Sequence, residues 1–134
     1  MTRKGPDQPH LLERELTGAI IGAFFECYNR LEFGYLESVY RRALVVELQA
    51  RGHRCASEGL IEVIYKGVCV GNYRYDLLVD GRVLVEVKSG AALASIAKRQ
   101  LLNYLRGTGL EVGLLLHFGP EPLFFRCVHQ RFIE

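Results

Sequence analysis

The stretch Tyr75-Asp76-Leu77-Leu78-Val79-Asp80-Gly81-Arg82-Val83-Leu84-Val85-Glu86-Val87-Lys88-Ser89 decides the fold. It reads as two strands joined by a tight turn, with Asp80-Gly81 as the turn signal. By the two-residue period of a strand, Val83, Val85 and Val87 point one way and Leu84, Glu86 and Lys88 the other. Leu77-Leu78-Val79 and Val83-Leu84-Val85 are apolar on both faces, which predicts central strands covered on both sides. Asp76, Glu86 and Lys88 sit in that setting, where a buried charge is costly unless it is paired or bound to a metal. The turn decides whether they meet. A two-residue loop puts Val79 opposite Arg82 and leaves Asp76 on the face away from Glu86. A three-residue loop of Val79-Asp80-Gly81, with Gly81 left-handed, puts Leu78 opposite Arg82. Asp76 then shares the face of Glu86 and Lys88, diagonally across the ladder. The second register is predicted, from that loop or from a bulge elsewhere with the same effect.

Outward from the hairpin, the chain of 134 residues is the length of one domain, and its 49% hydrophobic content suffices for one core. The expected division is a loose segment over 1–9 and a single domain over 10–134. The net charge of +2 permits a nucleic-acid partner without arguing for one. No apolar run approaches a membrane span and no signal-peptide core opens the chain, which points to no membrane and to the cytoplasm. Cys27, Cys55, Cys69 and Cys127 lack metal-ligand spacing and read as buried reduced thiols.

Leu12, Leu16, Ile20, Ala23, Phe24, Cys27 and Leu31 recur at helical spacing from Pro9 to about Arg30. A second helix is predicted from about Leu36 to Arg51, closed by Gly52. Glu37, Tyr40, Leu44 and Leu48 form one stripe of it, beside an apolar face of Val39, Ala43 and Val46. Taken alone, Glu37 reads as a first-turn residue favoured by the helix dipole, and Tyr40 as a half-buried aromatic. His53 to Ser57 reads as a short strand, and Leu60–Tyr65 with Val68–Val70 as a hairpin across Lys66-Gly67. A third helix runs from Ala92 to about Arg106 on Leu93, Ile96, Gln100, Leu101, Tyr104 and Leu105, with Gln100 and Tyr104 on one face. Val112 to His117 is a buried strand, and Leu123 to Val128 a last strand at an edge. Helices and strands in this order give an α/β or α+β sheet with helices packed on it.

Glu37, Asp76, Glu86, Lys88, Gln100 and Tyr104 then form a candidate catalytic set. Two carboxylates from adjacent strands suit a hard divalent cation, and such a cation suits phosphodiester hydrolysis. Lys88 is placed to position a water or neutralise a phosphate, and Glu37 to complete the outer coordination through water. Gln100 and Tyr104 are placed to orient the lysine or a phosphate. Arg41, Arg42, Lys98, Arg99 and Arg106 are candidate phosphate contacts, weighed equally against a solvated helix face.

Gly34-Tyr35-Leu36-Glu37-Ser38-Val39-Tyr40 fits GxxExxY. Gly71 to Val79, Val85-Glu86-Val87-Lys88, Gln100-Leu101-Leu102-Asn103-Tyr104-Leu105 and Gly113 to Gly119 follow in order. Over residues 10 to 130 the chain resembles the GxxExxY protein family, a branch of the PD-(D/E)XK nuclease superfamily. The resemblance implies a restriction-endonuclease-like mixed β-sheet flanked by α-helices. It also implies Mg²⁺ or Mn²⁺ held by Asp76, Glu86 and Glu37, and a nucleic-acid substrate, DNA in preference to RNA. Asp76, Glu86 and Lys88 match its motif residues, Glu37 its leading-helix acid, and Gln100 and Tyr104 its QxxxY. Ala97 stands where members often carry histidine. The alternative functions are a non-catalytic nucleic-acid-binding or regulatory module, and an interaction domain using Phe118, Leu123, Phe124, Phe125 and Phe132. A homodimer or a partner protein fits any of them.

Overall fold

The computed structural model describes residues 13–129. The expected loose segment 1–9, together with Pro9, Leu12 and Phe132, lies outside the described residues. The elements run α1 (Arg14–Leu31), α2 (Glu37–Ala50), β1 (Cys55–Ser57), β2 (Leu60–Tyr65), β3 (Val68–Arg74), β4 (Leu77–Val79), β5 (Val83–Ser89), α3 (Ala97–Thr108), β6 (Val112–Phe118) and β7 (Pro122–Val128). Five strands form one sheet in the order β1-β4-β5-β6-β7, and β2 and β3 form a separate two-stranded sheet. β5 and β6 are parallel, while β1–β4, β4–β5 and β6–β7 are antiparallel. A parallel pair needs a crossover, and α3 supplies it.

The two-residue period of β5 is realised as read. Val83, Val85 and Val87 join Leu77, Val79, Leu114, Leu116 and Phe118 on one face, packed against Leu16, Ile20 and Phe24 of α1 and Tyr40, Leu44 and Leu48 of α2. Leu84 and Leu115 face the other way, against Ala97, Leu101 and Leu105 of α3. Val83 through Val87 and all of β6 are buried, as strands covered on both faces must be.

The β4–β5 hairpin corrects one register detail and keeps the consequence. Leu77 pairs with Val85, Leu78 with Leu84 and Val79 with Val83. The loop is therefore three residues long, but it is Asp80-Gly81-Arg82 rather than Val79-Asp80-Gly81. The Arg82 N–H bonds the Val79 carbonyl at 3.0 Å, and Asp80 and Gly81 both have positive φ, 52° and 69°. A two-residue turn is thus followed by Arg82 as the extra residue. The cause lies across the sheet. The Asp80 carboxylate holds His53 Nδ1 and the Arg54 N–H, each at 2.8 Å, pinning the entry to β1. Parity is unchanged, and the same register continued one residue past the Leu77–Val85 pair sets Asp76 toward Glu86 rather than diagonal to it.

Other expectations shift for packing reasons. Tyr40, Leu44 and Leu48 of the α2 stripe are buried and Glu37 is half-buried, but Val39 and Val46 beside them are exposed, because α2 meets α1 and the sheet on one side only. Tyr40 is fully enclosed rather than half-buried. Its ring stacks on Phe118 with centroids 4.2 Å apart. Its hydroxyl donates to the Glu32 carbonyl and accepts the Tyr35 N–H, closing the loop between α1 and α2. α3 starts at Ala97 rather than Ala92, with Ile96 exposed, while Leu93 reaches the α3 cluster from the loop before it. All four cysteines are free; Cys27 is buried, Cys55 and Cys127 are half-buried, and Cys69 is exposed. Cys69 departs from the expected burial because the β2–β3 hairpin stands off the main core, with Leu60, Ile64, Tyr65, Val68 and Val70 also exposed.

α3 lies close on β6 because Gly113 has no side chain: a Cβ there falls 2.9 Å from Leu101 Cδ1. Gly113→Val should lower stability by about 1–3 kcal/mol, several degrees in Tm, in a thermal melt followed by circular dichroism. An unchanged Tm means that α3 is not seated on the sheet as described.

Candidate active site

Asp76 immediately precedes β4, where an antiparallel ladder would normally continue in backbone pairs. Side chains take over instead. The Asp76 N–H donates to Glu86 Oε2 at 2.8 Å, and the Val87 N–H donates to Asp76 Oδ2 at 2.7 Å. The chain just before β2 flanks the same point. The Glu58 N–H donates to the Asp76 carbonyl at 3.1 Å and the Tyr75 N–H to the Gly59 carbonyl at 2.9 Å. Gly59 is required here, since a Cβ would lie 2.0 Å from the Tyr75 ring. Each carboxylate therefore has one oxygen fixed by a backbone amide. The second oxygen of each accepts no hydrogen bond from the described residues.

Glu86 is 5% exposed. Burial, and then the Asp76 charge, push its carboxyl up to about 8. Burial also raises Asp76, against the pull of the Val87 N–H, Arg41 and Lys88. Arg41 of α2 stands 3.9 Å from Asp76 Oδ1 and 3.5 Å from Glu58 Oε1. The sequence offered Arg41 as a free phosphate contact; it is instead a cation beside the carboxylate pair. Lys88 lies on the Glu86 face and lowers both carboxyls, and Glu37 raises Glu86 from the start of α2. No group of three or more His, Cys, Asp or Glu converges to hold a metal among the described residues. Glu37 thus acts at longer range than Asp76 and Glu86. The pair still fits a divalent cation. Two hard carboxylates, one buried and one half-buried, lie close enough to raise each other's charge cost, and Lys88 does not offset the upward shift of Glu86.

Gln100 and Tyr104 of α3 line a cleft whose far wall is the β2–β3 hairpin. Tyr104 touches the site electrostatically: burial first, then Glu86, raises its phenol. Its ring lies 5.5 Å from that of Tyr73 on β3. Tyr73 was missed, because an aromatic in a strand pattern reads as sheet packing. The Val87 amide was equally invisible, since nothing in a valine marks its backbone as a carboxylate anchor. His117 neighbours Lys88 in the parallel register, is buried, and has Nε2 3.1 Å from the Gly90 carbonyl. Ala97, in the position often taken by histidine, is a core methyl under α3. Of the other expected phosphate contacts, Lys98 lies 3.7 Å over the Phe125 ring, and Arg42, Arg99 and Arg106 are exposed. Phe118 is core, so the aromatic patch of the interaction-domain reading is reduced to Leu123 and Phe124 among its exposed members.

No helix among the described residues is long and apolar enough to cross a membrane. No curated protein matches the sequence. Among solved structures, the crystal structure of SSO0001 superposes with a TM-score of 0.52 at 19% identity, covering 89% of this chain and 61% of that one. The chain thus spans less than two thirds of that protein, and at that identity the likeness concerns the fold, here a restriction-endonuclease-like sheet between helices. Residues 14–127, from the first turn of α1 into β7, match the PD-(D/E)XK nuclease superfamily, with Asp76, Glu86 and Lys88 inside the match, and the chain belongs to that superfamily.

Proposed function

We propose that the chain is a metal-dependent nuclease that hydrolyses phosphodiester bonds of nucleic acid, DNA in preference to RNA. The observation that carries this reading is the Asp76–Glu86 pair: a half-buried and a buried carboxylate, each anchored by a backbone amide, Val87 N–H for Asp76 and Asp76 N–H for Glu86. Asp76 and Glu86 would hold Mg²⁺ or Mn²⁺, with Glu37 contributing through a water. The bound cation supplies charge neutralisation at a phosphate oxygen and acidifies a water. Lys88 donates hydrogen bonds to a phosphate oxygen or to the attacking water, and its ammonium offsets the charge that develops on phosphorus-bound oxygens. Arg41 steadies Asp76 in its ionised form. Gln100 and Tyr104 orient the nucleic acid along α3. The GxxExxY branch is the finer assignment, and the enclosed Tyr40 that closes the loop before Glu37 supports it. Four free cysteines support a reducing, cytoplasmic setting. The exposed apolar hairpin supports a homodimer or a partner protein.

The reading is tested with labelled single- and double-stranded DNA in Mg²⁺ or Mn²⁺. The wild type should cut and lose activity in EDTA, and Asp76→Asn should lower the rate by about 10²-fold or more. Lys88→Ala should also reduce the rate, while leaving divalent-metal binding in place by calorimetry. Equal cutting by wild type and Asp76→Asn, or metal binding insensitive to both carboxylates, ends this reading. In that case the non-catalytic module takes its place.

The metal-free protein should respond to pH in a definite direction. The native Glu86 carboxyl titrates near 8, above its unfolded value of 4.5. Between these values the native state binds more protons than the unfolded one, so stability falls as pH rises. The loss from pH 5 to 8 is on the order of 3 kcal/mol. Glu86→Gln should flatten that slope in urea titrations. A slope that persists in Glu86→Gln assigns it to another group.

A further inference from the structure

A cleft of about 540 Å³ opens between α3 and the β2–β3 hairpin. Tyr104, Gln100, Asn103 and Arg106 line it from the helix, and Tyr73 and Glu62 from the hairpin. The walls are seated on each other: a Cβ on Gly107 of α3 falls 2.6 Å from Ile61 Cγ2 of β2. The Tyr73 and Tyr104 rings are 5.5 Å apart and tilted by 42°, and Tyr73 is 52% exposed. The inner end of the cleft lies toward the carboxylates: Asp76 follows Tyr73 by three residues, and Glu86 shares with Leu84 the face of β5 on which α3 packs.

We propose that this cleft is a base-binding subsite and that the substrate is single-stranded nucleic acid, an unstacked base lying on Tyr73 and Tyr104 while the adjoining phosphate reaches Asp76 and Glu86. The proposal rests on the nuclease reading and narrows its substrate. Cavities of roughly 300–1,000 Å³ take ligands of nucleotide size. The chemistry of the lining selects a base rather than a phosphate. Tyrosine faces stack on any base, Gln100 and Asn103 each carry a donor and an acceptor, and Glu62 repels phosphate but accepts a base amino N–H. Arg106 is the cation left for the backbone that leads out. A base paired in a duplex is closed to such a cleft and must leave its stack to enter. The aromatic platform tolerates every base, so it gives a strand preference without a sequence preference.

The test is fluorescence anisotropy of a labelled single-stranded DNA and of its duplex, with Ca²⁺ as the cation. The single strand should bind about tenfold more tightly than the duplex, and Tyr73→Ala should weaken single-strand binding about tenfold while changing duplex binding less than twofold. Tyr73→Phe keeps the ring and should bind as wild type. Tyr73→Leu keeps the bulk of the wall without the ring and should fall with Tyr73→Ala. Equal affinity for both forms, an equal loss on both, or failure of Tyr73→Phe overturns the proposal. The nuclease reading is decided separately by Asp76→Asn. Duplex cut as readily as single strand, in an Asp76-dependent way, keeps the nuclease and ends the single-strand subsite. No Asp76-dependent cutting of either form ends both.

Discussion

The candidate site depends on an exchange between two carboxylates and two amides. Glu86 takes the amide of Asp76, and Asp76 takes the amide of Val87. The exchange stands in for one rung of the β4–β5 ladder, so neither the Asp76 nor the Val87 amide is left without an acceptor. It also forces two acids together in a place with little water. A structural salt bridge would answer that need with close, bidentate partners. Arg41 instead stands 3.9 Å from Asp76, beyond a charge-assisted hydrogen bond, and divides its contact with Glu58. Burial and like charge therefore stay only partly compensated, and Glu86 carries the result. A carboxyl shifted in this way by burial and a like charge marks a candidate functional site.

Parity was legible in the sequence because it needs only alternation. Val83, Val85 and Val87 against Leu84, Glu86 and Lys88 reads directly as core against candidate site, and the parallel partner β6 is buried along its whole length. Register was legible to within one residue. Asp80-Gly81 announces a turn, but where the extra residue falls is decided by β1, whose entry is tied to the Asp80 side chain through His53 and Arg54. Those contacts span 26 and 27 residues, and no local pattern encodes them. The start of α3 failed for a similar reason. Leu93 and Ile96 continue the helical period, yet Leu93 serves the core from a loop and Ile96 serves it not at all.

The site was legible where side chains carry the chemistry and illegible where the backbone or geometry does. Asp76, Glu86 and Lys88 stand out as charges in apolar strands, and the fold does bring Asp76 opposite Glu86. Arg41 was seen as a cation but not as a neighbour of Asp76, since α2 packs mainly on the other face of the sheet. It stands beside Asp76 at the point where β4 has not yet begun. Tyr73 hid in a strand whose aromatics look like packing until the hairpin is seen to stand off the core, leaving that ring in a cleft.

The two faces of the sheet divide the work of the molecule. The α1–α2 face carries the larger core, from Leu16 to Phe118, and is apolar along β5 and β6. The α3 face begins as core at Leu84 and Leu115 and turns polar toward Glu86, Lys88 and His117. A helix covering that whole face would bury the acids without solvent or ligand. α3 instead begins only at Ala97, after Gly90 and the loop that His117 holds, and leaves the C-terminal end of β5 half-open. The late start of the helix thus leaves Lys88 and Ser89 half-exposed beside the buried Glu86. The larger share of the core lies on one face, which leaves the other able to keep charges at a strand end.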